Sequence, residues 1–354
     1  MKARIKKCSQ LMRKSGYEAL FVSDPLNLAY LTGSREVEGY LLISTKNKPI
    51  FFTNFIYQTT AKKLSDCNLV IAKQAESTFK LVADCAARLK IKRLGFEAQS
   101  FNFKQYQKLK FLLTEKKINC LITDGLIENL RAIKEPDELK LIKKSIQISE
   151  EAFQFAREIF EGSMSEKGLK IELERFLRLK GDNEIAFSSI VASGKNTAFP
   201  HHCSNETIIG NKFFLIDLGS KYYGYCADLT RVFFCGRMPL LFRKIHDTVR
   251  KSQAQAIAKI KAGVRACDVD STARKIIDKQ GWGKYFGHSL GHGVGMAVHE
   301  APRIGPKNTT VLKEGMVVTI EPGIYLNNKF GIRLEDMVLV KKDKSEVLSG
   351  HGNW

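Results

Sequence analysis

Two aspartates within one strongly apolar segment constrain this chain most. Asp217 and Asp228 lie inside residues 213–234, where apolar runs flank a glycine- and tyrosine-rich stretch. That stretch predicts a β-hairpin turn centred on Tyr222 and Tyr223, which would place the two aspartates directly opposite each other. Directly opposed Cβ atoms lie about 4.5–5.5 Å apart, so a shared proton or a divalent cation would relieve the repulsion. Two solvent-facing aspartates beside a turn are the other interpretation.

A cluster of histidines follows further along the chain. His288, His292 and His299 fall within twelve residues of a chain that has seven histidines in all. The glycines around them allow the backbone to approach other groups closely. A neutral imidazole is a good ligand for manganese, iron, cobalt or zinc, so this segment is predicted to bind a metal or a substrate.

Two glutamates complete the candidate site. Glu321 follows an apolar strand predicted at 315–320, and Glu335 lies inside a strand predicted at 333–340. Arg333 and Glu335 would point to the same face of that strand, so an ion pair between them is an alternative to metal binding. Burying an unpaired carboxylate is costly, so each glutamate needs a positively charged partner.

Together these groups suit a pair of divalent cations. Such sites hold two ions about 3.5–4 Å apart and bind a shared water whose pKa they lower. An oxygen-rich site with one imidazole favours Mn²⁺, while Co²⁺, Fe²⁺ and Zn²⁺ are chemically acceptable. The predicted ligands are Asp217, Asp228, His292, Glu321 and Glu335.

The length and the residue pattern predict two domains. A chain of 354 residues with 44% hydrophobic residues is long enough for about two domains with real cores. Residues 1–130 alternate strands with helices, which favours an α/β domain. Residues 131–354 combine helices with mostly antiparallel strands, which favours an α+β domain. Pro136 is predicted to begin a helix, and Ser163 with Glu166 to form the capping box of the next one.

In their order along the chain, these motifs resemble those of the pita-bread metallopeptidases of family M24B. The similarity is to the aminopeptidase P and prolidase branch, over about residues 131–354. The segment 27–33 resembles the smaller creatinase-type N-terminal domain. The resemblance rests on Asp-x10-Asp, His-Ser-Leu-Gly-His-Gly, Glu-Pro-Gly-Ile-Tyr and Ile-Arg-Leu-Glu-Asp. It implies an α+β fold of two domains and cleavage of the peptide bond before a proline.

The resemblance also implies a role for each metal ligand. Asp217 and Asp228 would bind one metal ion. Asp228, His292, Glu321 and Glu335 would bind the second, with Asp228 and Glu335 bridging the two ions. Glu321 would in addition take part in proton transfer.

Further residues would bind the substrate or orient the ligands. His299 would contact the scissile carbonyl, and His288 would line the pocket for the residue after the cleaved bond. His201 would help to bind the substrate, and it is preferred over its neighbour His202 because it directly follows a proline. Arg333 would orient the metal-binding carboxylates.

The favoured function is therefore a cytoplasmic, homodimeric Xaa-Pro aminopeptidase that acts on proline-containing peptides through a metal-bridging hydroxide. The alternative is an Xaa-Pro dipeptidase, or prolidase, since the sequence does not show what closes the cleft beyond the proline. A pita-bread protein that has lost catalysis and only binds a partner is a more remote alternative.

Other classes of protein fit less well. The net charge of +20 is spread along the chain, which is more typical of a basic surface than of a nucleic-acid reader, and no apolar run is long enough to span a membrane. The segment 287–291 matches Gly-x-Ser-x-Gly, but a serine nucleophile elbow requires a strand before the serine and a helix after it. The segment from His299 lacks the second histidine of the zinc motif His-Glu-x-x-His.

Overall fold

The computed structural model describes residues 2–73, 78–210, 213–234 and 238–350. Its contacts divide the chain into two compact units, Met1–Arg131 and Ala132–Trp354. No helix within the described ranges is long and apolar enough to cross a bilayer.

The first unit is a mixed six-stranded sheet with helices packed on it. The strand order is β4-β3-β2-β1-β5-β6, with antiparallel pairing of β1 with β2 and of β2 with β3 and parallel pairing elsewhere. The strands are β1 Ala19–Val22, β2 Tyr40–Ser44, β3 Ile50–Asn54, β4 Asn68–Ala72, β5 Arg93–Glu97 and β6 Asn119–Thr123; the helices are α1 Lys2–Lys14, α2 Pro25–Thr32, α3 Gln58–Ala61, α4 Thr78–Arg88, α5 Phe103–Glu115 and α6 Glu128–Arg131.

A buried carboxylate lies at the end of the central strands of this sheet. Glu97, the last residue of β5, is only 7% exposed. It accepts hydrogen bonds from the backbone N–H groups of Ser23 at 2.6 Å and Asp24 at 2.8 Å, and from the side-chain amide of Asn27 at 2.7 Å. Burial raises its pKa from 4.5 to about 7, although these hydrogen bonds oppose the change.

Glu97 is expected to make the stability of the protein depend on pH. A carboxyl group with a raised pKa in the folded state stabilises most when both states are protonated, and this contribution is lost as the pH rises from about 4.5 to about 7. At 1.36 kcal/mol per pKa unit, the loss is about 3 kcal/mol. Glu97→Gln removes this titrating group. The difference in unfolding free energy between wild type and the variant, measured by chemical denaturation, should therefore fall as the pH rises from about 4.5 to about 7. A constant difference would contradict this, and the exposed Glu115→Gln is the matched control.

The second unit combines antiparallel sheets with long helices. The sheet orders are β11-β8-β7, β10-β9, β13-β12-β14-β17-β18 and β15-β16. The strands are β7 Ile190–Ser193, β8 Phe213–Leu218, β9 Lys221–Tyr222, β10 Tyr225–Cys226, β11 Leu229–Phe234, β12 Gly291–Gly293, β13 Glu300–Ile304, β14 Val317–Ile320, β15 Gly323–Leu326, β16 Phe330–Arg333, β17 Asp336–Val340 and β18 Ser345–Val347; the helices are α7 Pro136–Ile159, α8 Glu166–Lys180, α9 Leu240–Lys259 and α10 Ala266–Lys279.

The core of the second unit lies between α9, α10 and these sheets. The apolar residues of both helices recur at helical spacing, so each helix buries one face. The fully buried side chains that meet there include Phe242, Ile245, Val249, Ile277, Val318 and Val338. This packing fixes β12, which carries His292, and also β14 and β17, next to which Glu321 and Glu335 lie.

The start of α8 differs from the sequence prediction. Ser165, not Ser163, is the N-cap, because its side chain accepts the backbone N–H of Gly168 at 3.1 Å. Glu166 is therefore the first helical residue rather than the third, and its side chain is fully buried. By contrast, Pro136 begins α7 as predicted.

The register of the hairpin also corrects the sequence prediction. Asp217 pairs with Thr230, not with Asp228. The turn is the two-residue loop Tyr223-Gly224, and both residues have positive φ angles, 46° and 80°. Such loops match the twist of antiparallel strands and favour glycine at the second position. The centre of the turn is thus one residue later than predicted, and Asp228 lies diagonally across from Asp217.

Candidate active site

A cavity of about 640 Å³ in the second unit contains the residues that the sequence singled out. Its walls include the apolar side chains of Phe187, Ile190 and Pro200 as well as polar groups. Every predicted metal-binding, substrate-binding and orienting residue contributes to its lining: His201, Asp217, Asp228, His288, His292, His299, Glu321, Arg333 and Glu335.

The five predicted ligands converge at one end of this cavity. Within each of three overlapping groups, one ligand atom per residue lies within 4.8 Å of the others. His292 Nε2 is 3.4 Å from an oxygen of Asp228 and 3.4 Å from an oxygen of Glu321. The groups are Asp217 with Asp228 and Glu335, His292 with Glu321 and Glu335, and Asp228 with His292 and His299.

The electrostatics of this cluster favour a bound cation. Burial raises the pKa of Asp228 and of Glu335 well above the usual range, and it raises that of Glu321 to about 8. Two buried oxygens, Asp217 Oδ1 and Glu335 Oε1, have no hydrogen-bond partner among the described residues. Four carboxylates against one arginine leave an uncompensated negative charge, which divalent cations with oxygen ligands would balance. The donor set therefore fits metal binding.

The backbone around His292 sets the orientation of its ring. A Cβ atom at Gly291 would overlap the carbonyl oxygen of Thr319, and one at Gly293 would overlap that of Ala301. Glycine is thus required where the neighbouring strands approach. His292 Nδ1 lies 3.1 Å from the carbonyl of Gly293. As a donor to that carbonyl it would leave the Nε2 lone pair facing the carboxylates, as expected of a metal ligand.

Arg333 contacts one of the predicted metal-binding carboxylates, as its predicted orienting role requires. Its guanidinium pairs with Asp217 at 2.5 Å, not with Glu335. It also donates to Thr230 Oγ1 at 3.1 Å, and that hydroxyl donates to Glu335 at 2.7 Å. Thr230 therefore links the arginine to Glu335, and the sequence reasoning missed it. The position of Thr230 in the sequence could have indicated this role, because it follows Asp228 by two residues and so lies on the same face of the hairpin.

Glu335 lies between two strands and not inside one. The predicted strand at 333–340 is broken, since β16 ends at Arg333 and β17 begins at Asp336. Arg231 fixes this break by donating to the backbone carbonyl of Glu335 and pairing with Asp336 at 2.9 Å. The arginine is buried, and sequence reasoning gave it no role.

His288 is held on both sides. Its Nδ1 lies 2.8 Å from the carbonyl of Ser289, and its Nε2 lies 3.0 Å from the hydroxyl of Tyr325, which also accepts from Arg333. The motif Glu-Pro-Gly-Ile-Tyr contains Tyr325, but the sequence gave it no role. Burial lowers the pKa of His288 to about 4, so the ring is neutral near pH 7.

Helix α10 clamps the backbone on either side of His288. Arg274 donates to the carbonyls of Phe286 at 2.9 Å and His288 at 3.0 Å, and it pairs with the buried Asp270 at 2.8 Å. Asp270 also accepts the backbone N–H of Leu290 at 3.2 Å. The clamp fixes the segment that leads into His292.

The serine-hydrolase interpretation is wrong. Ser289 follows a short 3-10 turn at Gly283–Tyr285 and precedes strand β12, so there is no strand-to-helix elbow. Its Oγ accepts a hydrogen bond from Arg303 Nε at 2.6 Å. Arg303 is a further lining residue that the sequence reasoning missed; it follows His299 by four residues.

The two neighbouring histidines point to different places. His201 is exposed and lines the cavity, whereas His202 is turned away and contacts Glu166 at 2.6 Å. This is the arrangement that a substrate-facing role for His201 requires.

A cluster of buried carboxylates with one imidazole at the end of a cavity defines the class of metal-dependent hydrolases. Comparison with known families narrows this class. Residues 140–342 match "Metallopeptidase family M24", and residues 4–133 match "Creatinase/Prolidase N-terminal domain". The chain belongs to metallopeptidase family M24, and its two-domain α+β pita-bread fold is confirmed.

Relatives at full length agree with this assignment. The chain is 34% identical to an Xaa-Pro dipeptidase of Pyrococcus horikoshii, over 99% of this chain and 97% of that protein. It is similar to the solved structure of an Xaa-Pro dipeptidase from Bacillus anthracis, with a TM-score of 0.94, 32% identity and coverage of 100% and 98%. An X-Pro aminopeptidase structure from Thermotoga maritima has a TM-score of 0.89, 32% identity and coverage of 98% and 99%.

Proposed function

We propose that the protein is an Xaa-Pro dipeptidase that hydrolyses the peptide bond before a C-terminal proline. This reverses the preference drawn from the sequence, which was for the aminopeptidase. The similarity to dipeptidases of Pyrococcus horikoshii and Bacillus anthracis supports the change. An aminopeptidase of Thermotoga maritima is also similar, so the choice needs an observation from the cavity itself.

The position of Arg303 in the cavity supports the dipeptidase over the aminopeptidase. It is exposed and lines the cavity, and its Nε is directed to Ser289 at 2.6 Å. A guanidinium matches the geometry of a carboxylate and can bind it with two hydrogen bonds. In a dipeptide the proline carries a free carboxylate, whereas in a longer peptide the same position is an amide without charge. Arg303 therefore favours a substrate that ends at the proline.

The apolar walls fit the proline ring. Phe187, Ile190 and Pro200 lie in the same cavity as Arg303. A proline amide has no N–H, so recognition depends on ring shape and on groups around the scissile bond. We assign His288 to the proline side of this bond, and His201 and His299 to the substrate carbonyl.

Two divalent cations, with Mn²⁺ preferred, would be held by Asp217, Asp228, His292, Glu321 and Glu335. When bound, such ions polarise a carbonyl and make water a better nucleophile near neutral pH. The protein supplies the orientation, because Arg333 fixes Asp217 and Thr230 fixes Glu335.

We assign to Glu321 the transfer of a proton from the attacking water to the leaving nitrogen. Its carboxyl group is partly buried, and the hydroxyl of Thr319 lies 3.3 Å from it. In the proposed reaction, the oxygen of a water molecule bonds to the carbonyl carbon of Xaa while Glu321 takes a proton from that water. The C–N bond then breaks, and Glu321 returns the proton to the proline nitrogen. The products are the free amino acid and proline.

The substrate preference is tested with matched peptides. With Mn²⁺ present, purified protein is expected to hydrolyse Ala-Pro with a kcat/KM at least about tenfold above that for Ala-Pro-Gly, because one charge-assisted pair contributes about 1.5–3 kcal/mol. Arg303→Gln should raise KM for Ala-Pro by about tenfold and leave Ala-Pro-Gly nearly unchanged. Arg243→Gln, on α9, is the control.

Other outcomes would decide against the proposal. Faster cleavage of the tripeptide would restore the aminopeptidase. No cleavage of either peptide with any of the four metals would favour a non-catalytic binding protein. Activity that survives a chelator would exclude the metal site altogether.

A further inference from the structure

The fully buried carboxylate of Glu166 lies outside the cavity described above. As the first residue of α8, a glutamate would commonly face solvent and interact favourably with the positive end of the helix dipole. Here the side chain is 0% exposed and is directed to the segment 193–205. A buried carboxylate is costly unless it is well hydrogen-bonded.

Glu166 contacts this segment at both of its ends. One carboxylate oxygen accepts from the backbone N–H of Ser193 at 2.7 Å, from its hydroxyl at 2.9 Å and from the amide of Asn196 at 2.9 Å. The other oxygen contacts His202 Nε2 at 2.6 Å and accepts the N–H of Asn205 at 3.4 Å. One side chain thus ties together residues that are twelve positions apart.

The residues between these ends are also held by β16. The backbone N–H of Gly331 donates to Thr197 at 2.8 Å, and Arg333 donates to the carbonyl of Pro200 at 3.3 Å. A Cβ atom at Gly331 would overlap the carbonyl oxygen of Thr197, so the two backbones are in direct contact. His201 follows Pro200 in the chain and lines the cavity.

We propose that Glu166, together with His202, is a positioning residue that holds the His201 segment against β16 and so directs His201 to the substrate. The inference rests on the proposed function for its kinetic consequence. Glu166 is outside the lining of the cavity and acts through His201. His202 occupies the second carboxylate oxygen, which explains why only one of the two neighbouring histidines faces the cavity.

Replacing the carboxylate should loosen this segment without altering the metal site. In Glu166→Gln, an amide N–H₂ group replaces one carboxylate oxygen. This new donor would face, and repel, the N–H and O–H groups that donate to that oxygen in the wild type. Small displacements of groups that orient a substrate can reduce the rate by up to about a hundredfold. We expect kcat/KM for Ala-Pro to fall about tenfold, mainly through KM, while calorimetric Mn²⁺ affinity stays unchanged.

A double-mutant cycle distinguishes positioning from a merely structural effect. The proteins are wild type, Glu166→Gln, His201→Ala and the double variant, with Glu172→Gln on the same helix as the control. If Glu166 acts through His201, the double variant should have the kcat/KM of His201→Ala alone. If the two losses multiply, or if Glu166→Gln equals wild type, the inference is overturned.

Hydrogen exchange tests the same inference without catalysis. In Glu166→Gln, the amides of Ser193 and Asn205 should exchange at least about tenfold faster, while those of β14 and β17 keep their wild-type rates. His202→Gln, which leaves the carboxylate in place, should speed exchange at Asn205 more than at Ser193, and it serves as the test if Glu166→Gln does not fold. Wild-type exchange at Ser193 and Asn205 in the variants would overturn the inference. If wild type does not cleave Ala-Pro, the proposed function fails, but this measurement still decides whether Glu166 anchors the segment.

Discussion

Asp228→Ala is expected to remove metal binding and hydrolysis together. Asp228 is buried and belongs to two of the three groups of converging ligand atoms. Metal ions supply several kcal/mol of transition-state stabilisation, and each 1.36 kcal/mol is tenfold in rate. The expected loss in kcat is therefore at least about a thousandfold, and calorimetry with Mn²⁺ should show no high-affinity binding.

Thermal unfolding gives an independent measure of the same variant. A ligand that binds only the folded state stabilises it by about 2.7 kcal/mol at a hundredfold excess over its Kd, so Mn²⁺ should raise the Tm of wild type. Asp228→Ala should lose this rise. Asp247→Ala, an exposed aspartate on α9, should keep both the rise and the activity. Full metal stoichiometry in Asp228→Ala would contradict its assignment as a ligand.

His299→Ala is expected to keep the metals and lose the rate. The ring centroid of His299 lies 4.2 Å from that of His292, and partial desolvation at the cavity wall lowers the pKa of His299. A neutral ring can donate one hydrogen bond to the oxygen that becomes negative in the transition state. Removal of one such donor costs about 10²–10³ in kcat, which steady-state kinetics on Ala-Pro would measure.

The measurement also decides between two roles for His299. It lies near Asp228 and His292 closely enough to count as a third ligand, and in that role its loss would weaken metal binding. Mn²⁺ titration of His299→Ala distinguishes a metal ligand from a substrate-binding group. The control is His246→Ala, which replaces a histidine on α9. Wild-type metal affinity with a lower kcat supports the substrate role, whereas a metal-free variant rejects it.

Much of the fold and of the site was accessible from the sequence because the signals were local. Pro136 predicted the start of α7, and apolar runs predicted β8 and β14. The glycines around His292 indicated close backbone contact, and the structure has that contact at Thr319 and Ala301. Carboxylates within apolar segments also indicated the site, because a buried charge requires a partner.

One error arose at a turn, and another where the outcome depended on a partner distant in the chain. The turn at Tyr223-Gly224 shifted the hairpin by one residue, which brought Thr230 and not Asp228 opposite Asp217. Glu335 was expected within a strand, but Arg231 holds its carbonyl where the ladder breaks.

The sequence by itself determined which residue types are available and in which order, and from these it predicted that four carboxylates and one imidazole would bind cations. It could not choose the pairings, because each depends on distances between segments that are far apart in the chain. Only the tertiary structure decided that Arg333 pairs with Asp217, that Arg303 reaches the cavity, and that Glu166 binds His202 while His201 lines the cavity. The physical reason is that a buried charge is stabilised by whichever donors the packed backbones bring within hydrogen-bonding distance.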